Sequence, residues 1–321
     1  MIDMSENLLQ LKEVKKYFPI KKGLFYKTVA NVKAVDGVDL SIGQRQTLGL
    51  VGESGCGKTT LSRIILRLIK EDSGSIYFNG RNLCAANKKE LRQIRKGLQV
   101  VFQDPFNSLD PKFRVREILK EALYALEKYE TSEFEDRAVG LLDQVGLGRD
   151  AIDRFPYEFS GGERQRIAIA RAISTNPKML ILDEAVSSLD VLIQKQILDL
   201  LLKLKDELQI SCLFISHNLN VLKNFSDRIA VMYLGKMAEV APALRIFSED
   251  NLKNVHPYTE ALILSGVRRK VSLKGEPESL LNIPSGCRFH TRCPYRKDVC
   301  RKREPALELK KNGHFIACHF R

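Results

Sequence analysis

Long apolar runs are missing from this 321-residue sequence. No stretch approaches the roughly 20 apolar residues that cross a bilayer, and the first residues, MIDMSENLLQLKEVKK, contain no apolar core of signal-peptide length. We therefore expect a chain that is neither exported nor embedded in a membrane. Internal repeats are also missing, which argues against a solenoid or tandem-repeat architecture.

Basic residues exceed acidic ones, because 52 Lys and Arg face 39 Asp and Glu and give a formal net charge of +13. Such an excess favours a polyanionic partner: nucleic acid, a lipid surface or the phosphates of a nucleotide. Much of it lies in the last 55 residues, which hold 14 basic and 5 acidic side chains. We therefore predict a separate C-terminal region over residues 263–321.

The main body alternates short apolar strands with helical patterns, which is typical of a largely parallel α/β sheet. The run MLILDE at residues 179–184 is apolar on four consecutive positions, as in a central strand that is covered on both faces. Between about residues 104 and 175 the pattern is mostly helical. We predict an α/β domain that carries this helical stretch as an insert.

A glycine-rich segment, GESGCGKT at residues 52–59, fits the pattern G-x-x-x-x-G-K-[ST]. It lies between a predicted strand, TLGLV, and a predicted helix, TTLSRIILRLIK. In this context backbone N–H groups and the helix N-terminus face a phosphate chain, the lysine reaches the β- and γ-phosphates, and the threonine hydroxyl binds Mg²⁺. The predicted binding residues are Gly52, Glu53, Ser54, Gly55, Cys56, Gly57, Lys58, Thr59 and Thr60. Cys56 is interpreted as a small space-filling residue rather than a reactive thiol.

Two carboxylates follow the buried strand at residues 179–182. Asp183 is predicted to hold Mg²⁺, and Glu184, one residue further on, to polarise an attacking water. Acidic residues after strands also serve as helix caps, so this interpretation depends on the phosphate loop being present in the same chain.

The segment FSGGERQR at residues 159–166 resembles the signature motif of ATP-binding cassette (ABC) ATPases, with Phe and Glu where the commonest form has Leu and Gln. The same resemblance identifies the remaining nucleotide motifs in the family's order: Gln103 in the Q-loop, SSLD ending at Asp190 as the D-loop, His217 as the switch histidine, and Phe18 as the aromatic residue on adenine. The resemblance covers about residues 8–262 and implies a nucleotide-binding domain over that range. It also implies that Gln103 senses the metal and the attacking water and that His217 contacts the γ-phosphate.

The signature also has a physical meaning, because Ser160, Gly161, Gly162 and Glu163 open a predicted helix and form a second anion site. One chain cannot readily aim both anion sites at one nucleotide. The resemblance implies that the signature of one cassette closes over the phosphate loop of another, so that a head-to-tail dimer holds two ATP molecules.

Residues 104–111 (DPFNSLDP) and 154–158 (RFPYE) resemble the dipeptide and oligopeptide importers among these cassettes, as do IPSGC at 283–287 and RCP at 292–294. The resemblance implies an ATPase subunit at the cytoplasmic face of a bacterial membrane. Its implied partners are a second ATPase subunit in a heterodimer, two permease subunits and, indirectly, a substrate-binding protein. The sequence does not identify the cargo.

Four cysteines, Cys287, Cys293, Cys300 and Cys318, crowd into the C-terminal region. Without an export signal a disulfide framework is disfavoured, and four thiolates suit zinc or an iron–sulfur cluster about equally. The sequence has no C-x-x-C pairs here, which weakens a zinc ribbon. The importer resemblance implies a [4Fe–4S] cluster, with zinc as the alternative.

Two functions of another class compete with transport. A nucleic-acid ATPase fits the basic charge, but Lys58 and Ser160 are only 102 positions apart, which leaves no room for the long coiled coil of such proteins. A redox-gated ATPase would use its cluster to control hydrolysis. We expect neither, and we expect no nucleic-acid partner.

Overall fold

The computed structural model describes residues 7–23, 26–104, 108–124, 131–267 and 278–321. The chain forms two compact units. The first combines the residues up to 85 with those from 214 onward, and the second comprises residues 86–213. Residues 268–277 at the start of the C-terminal region and the importer-like residues 105–107 lie outside the described residues.

The first half of the chain contains these elements: β1 (Asn7–Lys22), β2 (Lys27–Gly43), β3 (Thr47–Val51), α1 (Lys58–Ile65), β4 (Ser73–Phe78), β5 (Arg81–Asn82), α2 (Lys88–Gly97), β6 (Leu98–Val101), α3 (Val115–Tyr124) and α4 (Thr131–Gln144). The second half contains these: α5 (Gly161–Ile173), β7 (Met179–Asp183), α6 (Val191–Leu208), β8 (Ser211–Ser216), α7 (Leu219–Lys223), β9 (Arg228–Tyr233), β10 (Lys236–Pro242), α8 (Ala243–Phe247), α9 (Pro257–Val267), α10 (Asp298–Lys302), β11 (Glu308–Leu309) and β12 (Phe315–Ile316). Short 3₁₀ turns occupy Arg149–Asp153, Pro156–Glu158 and Glu249–Asn254.

An antiparallel sheet in the first unit has the strand order β2-β1-β4-β5. The sequence analysis did not predict this sheet. Strand β1 has several register irregularities against β2, and Glu13 within it adopts a left-handed conformation with φ of 48°. Such bulges interrupt the strict alternation of apolar and polar residues by which a strand is recognised in a sequence.

A second sheet of the first unit pairs β3 with β9 in parallel and continues through antiparallel β10, β12 and β11. The segment IAVMYLGKMAEV forms a hairpin of β9 and β10, which turn at Gly235 with φ of 82°. The C-terminal strand β12 pairs with β10, so that Glu239 lies opposite Ile316. The C-terminal region is therefore built onto the edge of this sheet.

The second unit pairs β6 and β7 in parallel and surrounds them with helices. All five residues of β7 are buried, which confirms the predicted central strand. Helix α5 packs closely on α6, because a Cβ atom on Gly162 would come within 2.6 Å of Ile193 Cγ2. The predicted α/β class is confirmed.

Helix α1 is shorter than the helical pattern that follows the glycine-rich segment. It ends at Ile65 instead of continuing to Lys70, because Arg67 adopts a left-handed conformation with φ of 56° and forms an ion pair with Glu71. Among the residues that the structure describes, no helix is long and apolar enough to cross a membrane.

Candidate nucleotide-binding site

The glycine-rich loop joins the fully buried strand β3 to helix α1. Gly55 and Gly57 have φ angles of 79° and 113°, which L-amino acids rarely adopt. A Cβ atom on Gly57 would also collide with the carbonyl oxygen of Ala34. Helix α1 begins without a side-chain cap and without an acidic residue in its first turn, so its positive end is not neutralised locally.

Lys58 is only 4% exposed, and its side chain bends back over the loop. The ammonium Nζ donates to the carbonyl oxygens of Gly52, at 2.7 Å, and of Glu53, at 3.0 Å. Thr59, one residue further on, is exposed at the first turn of α1. A buried ammonium and an exposed hydroxyl at one helix start provide the charge and the metal ligand that a magnesium–triphosphate needs.

Glu53, the second residue of this loop, is held by the C-terminal half of the chain. Its backbone N–H donates to the hydroxyl of Tyr258 at 2.8 Å. Its carboxylate accepts two hydrogen bonds from the guanidinium of Arg292, at 2.7 and 2.9 Å. The sequence did not predict that Tyr258 and Arg292 contact this loop, because no local pattern connects positions more than 200 residues apart.

Cys56 is buried within the loop, and burial raises the pKa of its thiol. A thiol that resists ionisation at neutral pH is a poor nucleophile. This result supports the space-filling interpretation of Cys56.

Two further predicted residues of the first unit lie on exposed positions. Phe18, on β1, is 37% exposed, and the ammonium of Lys16 lies 5.7 Å from the centre of its ring. His217 is exposed directly after β8, where Asn218 caps the start of α7 by accepting the N–H of Asn220. Phe18 and His217 are therefore both exposed enough to contact a ligand.

In the second unit Gln103 is exposed in the bend after β6, and Asp183 is the buried last residue of β7. Glu184 follows in a left-handed conformation with φ of 50°. Its carbonyl accepts hydrogen bonds from the backbone N–H of Ser187, at 3.0 Å, and from the Ser187 hydroxyl, at 2.9 Å. A non-glycine residue held in this conformation costs about 1 kcal/mol, and such strain concentrates at functional sites.

The predicted signature segment forms the start of α5. The Ser160 hydroxyl accepts the Glu163 N–H at 3.3 Å, while the Glu163 carboxylate accepts the Ser160 N–H and hydroxyl, each at 2.8 Å. These bonds lower the pKa of Glu163. Asp190 caps α6 in a similar way by accepting the N–H groups of Leu192 and Ile193. Ser160, Gly161, Gly162 and Glu163 therefore form one helix start, at which Ser160 is exposed and Gly162 is buried.

The four C-terminal cysteines line one small cavity together with His290 and His319. None of the four is in a disulfide, and the Cys287 N–H donates to the Cys300 carbonyl at 2.8 Å. Burial raises the pKa of the Cys287 thiol to about 11, and the neighbouring cysteines add to this rise. Within the described parts of the chain, however, no group of three or more His, Cys, Asp or Glu side chains is placed to hold a metal ion. The donor set suits a sulfur-bound group, but neither the cluster nor zinc is supported by a formed metal site.

The family described as ABC transporter matches residues 35–187, and the C-terminal region of oligopeptide/dipeptide transporters matches residues 238–300. The oligopeptide transport ATP-binding protein AppF of Bacillus subtilis is 46% identical over 98% of this chain and 97% of its own length. The chain belongs to the ABC transporter family. The dipeptide transport ATP-binding protein DppF of Haemophilus influenzae is 40% identical over 98% of each chain.

Solved ABC cassettes have a similar fold. CbiO1 of Clostridium perfringens, part of the ABC transporter complex CbiONQ, is 25% identical, with a TM-score of 0.65 over 78% of this chain and 94% of its own. A dimeric ATP-binding cassette in a post-hydrolysis state, bound to ADP and Pi, is 28% identical, with a TM-score of 0.65 over 73% of this chain and 98% of its own. The predicted ABC fold is confirmed, and the nucleic-acid and redox-gated alternatives find no support among these relatives.

Proposed function

We propose that this chain is the ATP-hydrolysing subunit of a peptide importer. The observation that carries the proposal is the strand–loop–helix at residues 47–65, with the Lys58 ammonium directed back over the loop. It occurs in a chain that is similar over nearly its whole length to peptide transport ATP-binding proteins. An ABC ATPase of this group couples ATP hydrolysis to peptide transport across a membrane.

The proposed role of each site residue in binding and hydrolysing ATP follows from the chemistry of its side chain. Lys58 neutralises the β- and γ-phosphates of ATP, while Thr59, Gln103 and Asp183 serve Mg²⁺. Glu184 orients the attacking water, and His217 contacts the γ-phosphate. Phe18 stacks on the adenine ring. The remaining contacts to the nucleotide come from residues 52–57, from Thr60, from Asp190 and from the signature residues 160–163.

We further propose that two cassettes assemble head to tail, with the chain and a second, different ATPase subunit enclosing two ATP molecules. Two permease subunits complete the transporter at the cytoplasmic face of the membrane, and a substrate-binding protein delivers the peptide. Tyr157 supports a docking surface for a permease, because it is 66% exposed and stacks on Phe155 at 5.4 Å with an interplanar angle of 7°. A large exposed aromatic residue of this kind is typical of an interface.

Deletion of the gene in its native organism tests the transport function. We expect uptake of labelled peptides to be lost and then restored by the unaltered gene on a plasmid, because the importer needs ATP hydrolysis. Uptake of free amino acids serves as the control and is expected to stay unchanged. Peptide uptake that persists at the parental rate in the deletion strain, with no second importer present, would contradict the proposal.

We propose that Cys287, Cys293, Cys300 and Cys318 hold a [4Fe–4S] cluster. The support is that all four free thiols line one cavity and that thiolates are the preferred ligands of such clusters. Each thiol must lose its proton to bind iron, so iron binding would have to overcome the raised pKa of the buried Cys287 thiol. The bound cluster would cross-link a region that is too small to build a large core of its own.

Metal analysis of the anaerobically purified full chain tests this site. We expect about four iron and four acid-labile sulfide per chain, in the proportions of one cubane cluster. Cys300→Ser is expected to remove most of both, since the cluster loses a ligand, while Cys84→Ser serves as the control and keeps them. One zinc per chain without iron or sulfide would overturn the assignment in favour of the zinc alternative.

A further inference from the structure

The segment from Arg288 to Arg292 fastens the C-terminal region to the rest of the first unit at three points. Arg288 forms an ion pair with Asp36 on β2 and donates to the Leu234 carbonyl. Phe289 is 2% exposed and packs against the rings of Tyr233 and Tyr258, each 5.3 Å away between ring centres. Arg292 reaches the phosphate loop itself.

Arg292 and Glu53 form a two-pronged ion pair. Arg292 Nη1 lies 2.7 Å from Glu53 Oε2, and Nη2 lies 2.9 Å from Oε1. The Arg292 side chain is only 5% exposed and that of Glu53 is 21% exposed. Bidentate, charge-assisted pairs that are shielded from water are among the strongest and most directional polar contacts in proteins.

The backbone of Glu53 connects this ion pair to the rest of the loop. Its N–H donates to the Tyr258 hydroxyl at 2.8 Å, and its carbonyl accepts the Cys56 N–H at 3.3 Å. The same carbonyl accepts Lys58 Nζ at 3.0 Å. A shift of Glu53 would therefore move the carbonyl that aligns the ammonium of Lys58.

We propose that Arg292 is a positioning residue for ATP binding, which fixes the phosphate loop by holding the Glu53 carboxylate. The inference rests on the proposed nucleotide site at residues 52–60. In this role Arg292 acts through Glu53, because each of its terminal nitrogens donates to the Glu53 carboxylate, and Nη1 also lies 3.4 Å from the Tyr233 hydroxyl. A loop that is already held in its binding conformation loses less entropy when ATP binds, so the ion pair contributes to affinity rather than to the chemical step.

Steady-state ATP hydrolysis by the full chain tests this role through Arg292→Met, Glu53→Gln and the double variant. Each single variant is expected to raise KM for ATP about five- to ten-fold and to change kcat less than two-fold, as for a group that aids binding alone. The double variant is expected to match the worse single variant, because both changes remove the same pair. Arg296→Met removes an exposed positive charge four residues beyond Arg292 and is expected to leave KM unchanged.

Three outcomes would overturn the inference: a KM within two-fold of the parent in Arg292→Met, effects that multiply in the double variant, or tighter ATP binding in Glu53→Gln. The last would mean that a released Arg292 binds phosphate directly. Arg292→Lys keeps the positive charge but cannot form the bidentate pair with Glu53. If the melting curve shows that Arg292→Met does not fold, the KM values of Arg292→Lys and Glu53→Gln test the positioning role instead. Lys58→Met distinguishes the two proposals. If this variant bound ATP with parental affinity, the assignment of residues 52–60 as the nucleotide site would be refuted. If only the Arg292 variants kept the parental KM, the positioning role of Arg292 alone would be refuted.

Discussion

Glu184→Gln is expected to lower ATP hydrolysis by about a thousand-fold while ATP still binds, since positioned general bases contribute about 10²–10⁴-fold to rate. The amide has nearly the same shape as the carboxylate but cannot accept the proton of the attacking water. Glu184 directly follows the buried strand β7, and its carbonyl accepts two hydrogen bonds from Ser187. These bonds use only the backbone of Glu184, so the substitution leaves the turn intact.

Phosphate release under single-turnover conditions measures the effect of this substitution, and size-exclusion chromatography with ATP measures the assembly. Because ATP remains uncleaved, we expect the variant to accumulate as the closed dimer. Glu308→Gln, on the exposed strand β11, is the matched control and should hydrolyse ATP at the parental rate. Near-normal turnover in Glu184→Gln would refute the assignment of Glu184 as the base.

Lys58→Met is expected to weaken ATP binding by roughly 10- to 100-fold, because hydrogen bonds to charged groups contribute about 1.5–3 kcal/mol. The side chain of Lys58 is buried, and its ammonium donates to two carbonyl oxygens of the loop. Methionine fills the same volume along the stem but carries no charge. The loop should therefore keep its packing while the triphosphate loses its positive partner.

Equilibrium titration with ATP and Mg²⁺ checks this result, and the melting temperature without nucleotide checks that the variant is folded. Lys70→Met is the matched control, since Lys70 is exposed beyond the end of α1. It should bind ATP like the parent. If Lys58→Met also bound ATP with parental affinity, the loop at residues 52–59 would not be the phosphate site.

Local motifs could be predicted from the sequence because their chemistry is set by neighbours along the chain. The loop at residues 52–59 needs glycine where the backbone turns left-handed, as at Gly55 and Gly57, and it needs a lysine at the helix start. The strand before Asp183 is apolar at each position because both of its faces are buried. The signature follows the same logic, because Ser160 and Glu163 cap their helix reciprocally over three positions.

The antiparallel sheet and the end of α1 could not be predicted in the same way. Bulges in β1 shift the side chains between faces, so the alternation that reveals a strand is lost. Helix α1 ends where Arg67 adopts a left-handed conformation, although the residues beyond it continue the helical pattern. Tertiary packing overrides local propensity at such points.

The sequence by itself determined the family, and it predicted the phosphate loop and the acidic, glutamine and histidine residues of the nucleotide motifs. Only the tertiary structure decided that Arg292 holds Glu53, 239 positions away, and that Tyr258 accepts the N–H of the same residue. The physical reason is that an ion pair depends on distance in space, and tertiary contacts such as the pairing of β10 with β12 and the packing of Phe289 bring these distant segments together.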